Sequence, residues 1–71
     1  MNDLQLKVAG TKALQVIQQI SAASPLGHAT RAQVAKALSM SWIDTLDVLK
    51  YLRDNGNVTI GQTINDYWVK I

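Results

Sequence analysis

The sequence contains no cysteine, no phenylalanine and no glutamate, and it has a single proline and a single histidine. Without cysteine there is neither a disulfide framework nor a thiolate metal site, and one histidine cannot supply a histidine-rich one. We therefore expect no metal and no other cofactor. No apolar run approaches the roughly 18 residues of a membrane span, and the first residues lack a signal-peptide pattern. These absences predict a cytoplasmic protein with no membrane association.

What the sequence does contain suits one small globular domain. It has 71 residues, of which 48% are apolar, enough for a single core and too apolar for disorder. Seven basic residues stand against five aspartates, for a formal net charge of +2. Four of the cations and only one of the acids lie in the first forty residues. This mildly basic balance permits nucleic-acid binding without requiring it.

Three helices are predicted from apolar spacing and cap residues. Residues 11–23 carry apolar side chains three and four apart, as an amphipathic helix does, and residues 1–10 are an N-terminal extension or the start of that helix. Thr30 and Gln33 form a capping box for a short second helix. Ser41 caps a longer third helix over residues 42–55, which stops at Gly56. The inward face of the third helix is predicted to contain Thr45, Val48, Leu49 and Leu52.

The last residues change from helical spacing to alternation. Val58 and Ile60, then Tyr67 and Val69, alternate with polar neighbours, which predicts two strands joined by a six-residue loop over residues 61–66. Trp68 is expected to pack its strand against the third helix. The whole order predicts an α+β domain that is mostly α, with a C-terminal β-hairpin.

The short turn between the second and third helices carries the most specific pattern. The residues that form it are Val34, Ala35, Leu38, Ser39, Met40, Thr45 and Val48. This pattern resembles the helix-turn-helix unit, in which a small residue lets the helices cross. The family favours glycine at the position of Ser39 and an aliphatic residue at that of Thr45. With the hairpin that follows, residues 11–71 resemble a three-helix winged helix-turn-helix domain, and the hairpin corresponds to its wing.

The resemblance implies an interface with double-stranded DNA. The second helix would anchor a phosphate at its N-terminus, the third helix would lie in the groove, and the hairpin would contact the backbone. The DNA-binding residues expected on this basis are Thr30, Arg31, Gln33, Lys36, Ser41, Trp42, Ile43, Asp47, Lys50, Arg53, Gln62, Thr63 and Lys70.

Several of these residues also have plainer interpretations. Trp42 and Leu46 would then pack in the core or against another subunit. Each lysine would be a solvated surface residue, and the residues of the hairpin tip would only form the turn. His28, in a loop with no carboxylate nearby in sequence, is expected to be a surface histidine rather than a catalytic base. No nucleophile motif and no glycine-rich phosphate loop is present, so we expect no enzyme.

The function expected first is therefore a small DNA-binding regulator of transcription. A domain of this size is expected to dimerise, or to bind another protein, through apolar surface; the candidates for that contact are Leu4, Leu6, Trp42, Ile43 and Tyr51. The alternative is a winged-helix module for protein interaction with no nucleic-acid role, since the acids of the third helix suit a basic partner. A third hypothesis is an assembly or inhibitor protein that caps another regulator.

Overall fold

The chain folds into three helices and three short strands, as a computed structural model that describes residues 1–71 shows. The elements in chain order are α1 (Asp3–Ala23), β1 (Ala29–Thr30), α2 (Arg31–Leu38), α3 (Trp42–Asp54), β2 (Thr59–Gln62) and β3 (Tyr67–Lys70). The strands form one antiparallel sheet in the order β1-β3-β2. The predicted α+β class, mostly α with a hairpin of β2 and β3 as its wing, is confirmed.

Helix α1 is longer than residues 11–23 because it has a strong cap at Asn2. The backbone N–H of Gln5 donates to Asn2 Oδ1 at 2.8 Å, and Gln5 Oε1 accepts from the Asn2 N–H at 3.0 Å. This reciprocal pair satisfies two amides that the first turn would otherwise leave without partners. The helix then runs without a break from Asp3 to Ala23, so residues 3–10 are its first turns.

The turn between α2 and α3 has the geometry that its sequence predicts. Thr30 and Gln33 form the expected capping box, and Ser41 Oγ accepts from the N–H of Asp44. Ser39 ends α2 in the left-handed conformation, with φ of 51°. Glycine adopts this conformation without a Cβ penalty, which explains its preference at that position in the helix-turn-helix unit.

The core lies where the three helices meet the inner face of the sheet. The predicted inward face of α3 is confirmed, because its four members are all buried. Gly10 allows α1 and α3 to approach closely, since a Cβ there would lie 3.1 Å from a methyl carbon of Leu52. The buried apolar residues are Ala9, Ala13, Ile17, Ala29, Val34, Val48, Leu49, Leu52, Val58 and Val69.

The wing differs from the prediction in three respects. Strand β2 extends through Gly61 to Gln62, so the loop contains four residues, not six. A two-residue strand, β1, pairs with β3 and was not predicted. Trp68 points away from buried Val69, as alternation along β3 requires, and it does not pack β3 against α3. Its indole lies over Gly61 and stacks on His28, with ring centroids 5.5 Å apart.

None of the three helices combines the length and the apolar character that crossing a membrane requires.

Candidate nucleic-acid interface

The start of α3 and the wing loop together form a cleft on one side of the domain. The cleft has a volume of about 230 Å³ and brings Trp42 next to the wing loop. Its lining residues are Arg31, Trp42, Gln62, Thr63, Ile64, Asn65, Asp66 and Tyr67. Four of the residues predicted to bind DNA (Arg31, Trp42, Gln62 and Thr63) therefore lie together, although they come from three separate elements and a loop.

Arg31 connects the elements that form this cleft. Its Nε and Nη2 donate to the backbone carbonyl oxygen of Trp42 at 3.2 and 2.5 Å. The guanidinium carbon lies 3.9 Å from the centre of the Trp42 ring and 5.7 Å from that of Tyr67. The residue is only 5% exposed. Arg31 thus links the first turn of α2 to the first turn of α3 and to β3.

The wing loop is closed by its own hydrogen bonds. The backbone N–H and the hydroxyl of Thr63 both donate to the carbonyl oxygen of Asp66, at 2.7 and 2.8 Å, and the Asp66 N–H donates to Thr63 Oγ1 at 2.9 Å. One carboxylate oxygen of Asp66 accepts from the N–H of Tyr67 at 2.8 Å. The other accepts from the N–H of Ala32 at 3.2 Å. The loop is therefore fixed both internally and to the N-terminus of α2.

These contacts bear on the expectation that the N-terminus of α2 anchors a phosphate. Two of its first-turn amides already donate to protein oxygens, since Ala32 bonds to Asp66 and Gln33 bonds to Thr30. The side chains of Thr30 and Gln33 are used in the capping box, and Arg31 is buried against Trp42. A phosphate at this helix end would also meet the Asp66 carboxylate, which repels it. The side chains of Thr30, Arg31 and Gln33 therefore already have hydrogen-bond partners within the fold.

The outward side of α3 carries three more of the predicted DNA-binding residues, Ile43, Asp47 and Lys50, together with Asp54. Ile43, Asp47, Lys50 and Asp54 are spaced four, three and four apart, so they form one stripe, and all four are exposed. Ile43 is 73% exposed. Asp47 and Lys50 also line a second cleft of about 310 Å³ between α3 and the start of α1. The stripe therefore begins beside the wing cleft and continues towards α1.

Trp42 has both a structural and a surface role. One face of its ring covers Arg31, while the residue as a whole remains nearly half exposed. Neighbouring Ser41 is exposed, but its hydroxyl is occupied by the cap of α3. Leu46 is half-buried on the flank of α3. Of the residues at the start of α3, Trp42 and Ile43 thus offer most of the free contact area.

The remaining predicted cations lie apart from the cleft. Lys36 is exposed in the last turn of α2, about 7 Å along the axis from Arg31. Arg53 is in the last turn of α3, where it forms an exposed ion pair with Asp54 at 3.3 Å. Lys70 pairs with Thr59 at the end of the wing opposite to the loop. None of these three residues lines the wing cleft.

Two features of this region were not found from the sequence. Ile64 sits at the tip of the wing loop with 98% of its surface exposed, and no role was predicted for it. His28 is half-buried against Trp68 rather than on an open surface, and its Nδ1 has no hydrogen-bond partner. Only the position of Ile64 within a polar turn could have indicated exposure.

No group of three or more histidine or acidic side chains lies close enough to hold a metal ion. Comparisons with known protein families, with curated proteins and with solved structures find no match. What the chain binds is therefore inferred from its fold and its surfaces.

Proposed function

We propose that the protein is a small double-stranded DNA-binding regulator that uses the start of α3 and the wing together. The observation that carries the proposal is the joint fixing of these two elements. Arg31 bonds to the first residue of α3, and Asp66 bonds the wing loop to α2. Because the helix and the wing are already held in one relative orientation, binding to a duplex does not have to order them first. Both elements then contact neighbouring parts of the duplex at once.

The exposed groups suit direct contact with a duplex. On α3, Ile43 offers apolar contact to thymine methyl groups, Lys50 donates to guanine, and Asp47 accepts from the cytosine amine. On the wing, Gln62 and Asn65 are exposed amides that reach backbone or base edges. Phosphate contacts fall to the cations at the margins, which are Lys36, Arg53 and Lys70.

The test is a binding titration by fluorescence anisotropy on mixed-sequence duplexes between about 50 and 200 mM salt. We expect the logarithm of the affinity to fall linearly with the logarithm of salt concentration, because each neutralised phosphate releases counterions. Lys50→Ala should flatten the preference among duplexes of different sequence, because Lys50 is proposed to contact guanine. Lys7→Ala is the matched control, since Lys7 is an exposed lysine of α1 that lines neither cleft.

Absence of binding at about 50 mM salt and micromolar protein would contradict the proposal. Equal effects of the two lysine substitutions would show that binding does not involve the outward stripe of α3.

A protein-interaction module is the second candidate, and one observation favours it. Ile64, which is 98% exposed, lines the wing cleft together with Trp42, and Ile43, which is 73% exposed, follows Trp42 on α3. Exposed apolar groups beside the acids Asp47 and Asp54 suit a basic peptide better than a phosphate backbone. The same titration with a panel of basic peptides in place of DNA separates the two candidates. Peptide binding without DNA binding would establish the second.

A further inference from the structure

The first turns of α1 carry apolar side chains on the face directed away from the core. Leu4 is 70% exposed and Val8, one turn later, is half exposed. Beyond Val8 the same outward face becomes polar, with Thr11, Gln15 and Gln18 all exposed. The apolar outward surface is therefore confined to the start of the helix, whereas a solvated helix would be polar along its whole outer face.

This ridge lies beside an apolar groove. The groove has a volume of about 690 Å³ and runs between α1 and the turn that joins α2 to α3. Leu38 and Met40 form its far wall and are only partly buried. The lining residues are Met1, Leu4, Gln5, Val8, Ala9, Lys12, Leu38, Met40 and Asp44.

The groove is also lined by two charged side chains of opposite sign. Lys12, on α1, and Asp44, at the start of α3, both line it. Neither belongs to an ion pair, because the single pair within 4.0 Å in the chain joins Arg53 to Asp54. Both charges are therefore available to a partner that seats in the groove.

We propose that this surface, composed of the Leu4–Val8 ridge and the adjoining groove, is the interface of a homodimer. A two-fold contact requires a patch that is complementary to itself. In the proposed dimer the ridge of one copy packs into the groove of the other, and each Lys12 pairs with the Asp44 of the second copy. The unpaired cation and anion of one groove are complementary to those of a second copy in both directions.

The proposed interface is separate from the wing cleft. The two surfaces share no lining residue. Dimerisation through the groove uses Asp44 from the first turn of α3 and leaves Trp42 and the wing loop outside the contact. It is measured without DNA, so its failure and the failure of DNA binding are distinguishable.

The experiment is sedimentation equilibrium of the full chain and its variants, with circular dichroism to confirm folding. We expect a dimer for the unmodified chain. Leu4→Glu should weaken association by about 100-fold or more, because the two-fold interface contains the substitution twice. Gln15→Glu is the matched control, since it adds the same charge at an exposed position of the same helix, outside the groove, and should leave the dimer intact.

A charge exchange tests the predicted pairing itself. Lys12→Asp and Asp44→Lys should each weaken the dimer by about tenfold, because each places like charges opposite one another at two positions. The double variant restores the opposite-charge pairs and should recover association. A chain that remains monomeric at about 100 µM, a Leu4→Glu variant that still dimerises, or a double variant that is no better than either single one would overturn the proposal.

Discussion

The wing cleft and the α1 groove are both concave, yet their polar groups are used in opposite ways. In the cleft, the guanidinium of Arg31 and the carboxylate of Asp66 bond to backbone groups of neighbouring elements. In the groove, Lys12 and Asp44 lie free of ion pairs beside apolar side chains. The charges of the cleft therefore hold the domain together, while those of the groove remain available for association.

This difference separates residues that support a site from residues that form its contacts. Removing a buried, hydrogen-bonded charged side chain is costly, because the groups bonded to it stay buried without a hydrogen-bond partner. An exposed apolar side chain contributes little to the isolated fold and much to an interface. Substitutions around the cleft should therefore change the free energy of unfolding, and substitutions in the groove should change association.

The largest effect is expected from Gly61→Ala in the wing. A Cβ at this position would lie 2.0 Å from the indole of Trp68, so the ring or the strand must move. Because the indole is also stacked on His28, it has little freedom to yield. We expect a loss of about 3 kcal/mol in the free energy of unfolding, measured by urea denaturation.

The control for this substitution removes the indole. In a Trp68→Leu background, Gly61→Ala should cost less than about 1 kcal/mol, because no ring then occupies the Cβ position. An equal cost in both backgrounds would show that backbone conformation, rather than the indole, requires glycine.

A smaller effect is expected from Arg31→Met. The substitution removes two charge-assisted hydrogen bonds to Trp42 and keeps an apolar side chain of similar length. Part of the lost stability is offset, because folding no longer has to bury a charged group. We expect a cost of about 2 kcal/mol in chemical denaturation and weaker DNA binding with an unchanged salt slope. Lys36→Met makes the same charge change at an exposed site of α2 and should stay within about 0.5 kcal/mol.

The salt dependence of DNA binding distinguishes the linking role of Arg31 from the phosphate contact that the family resemblance implied. If Arg31 contacts a phosphate directly, its removal should reduce the slope by about one and leave stability nearly intact. That outcome would show that the cleft opens when the protein binds, and the contrast with the α1 groove would then be lost.

The parts of the fold that were predicted from the sequence depend on neighbours within a turn or two. The capping box of Thr30 and Gln33 and the inward face of α3 follow from spacings of three and four residues, which the helix itself imposes. The two-residue strand β1 was missed because two residues contain no alternation to recognise. The left-handed Ser39 could be anticipated only through the resemblance to the helix-turn-helix unit.

The candidate site was less predictable because its geometry depends on distant pairs. The bond from Arg31 to Trp42 spans eleven positions and that from Ala32 to Asp66 spans thirty-four. Nothing in the spacing of these residues indicates that they meet. The resemblance and its place at the start of α2 made Arg31 a predicted phosphate ligand, and only the structure shows its burial and its two hydrogen bonds to the carbonyl of Trp42.

The smallest effect on the isolated domain is expected from Leu4→Gln, which tests the other side of the comparison. Leu4 is exposed, and leucine and glutamine have similar helix propensities, so dilute protein should lose less than about 0.5 kcal/mol. By contrast, replacing the fully buried Ile17 on the inward face of α1 with alanine should lower the free energy of unfolding by at least about 2 kcal/mol. At high protein concentration, association should raise the unfolding midpoint of the unmodified chain but not that of Leu4→Gln. If the unfolding midpoints of both proteins are independent of protein concentration, association through the groove does not stabilise the protein. Leu4 would then be an exposed apolar residue without a partner, as Ile64 is in the isolated domain.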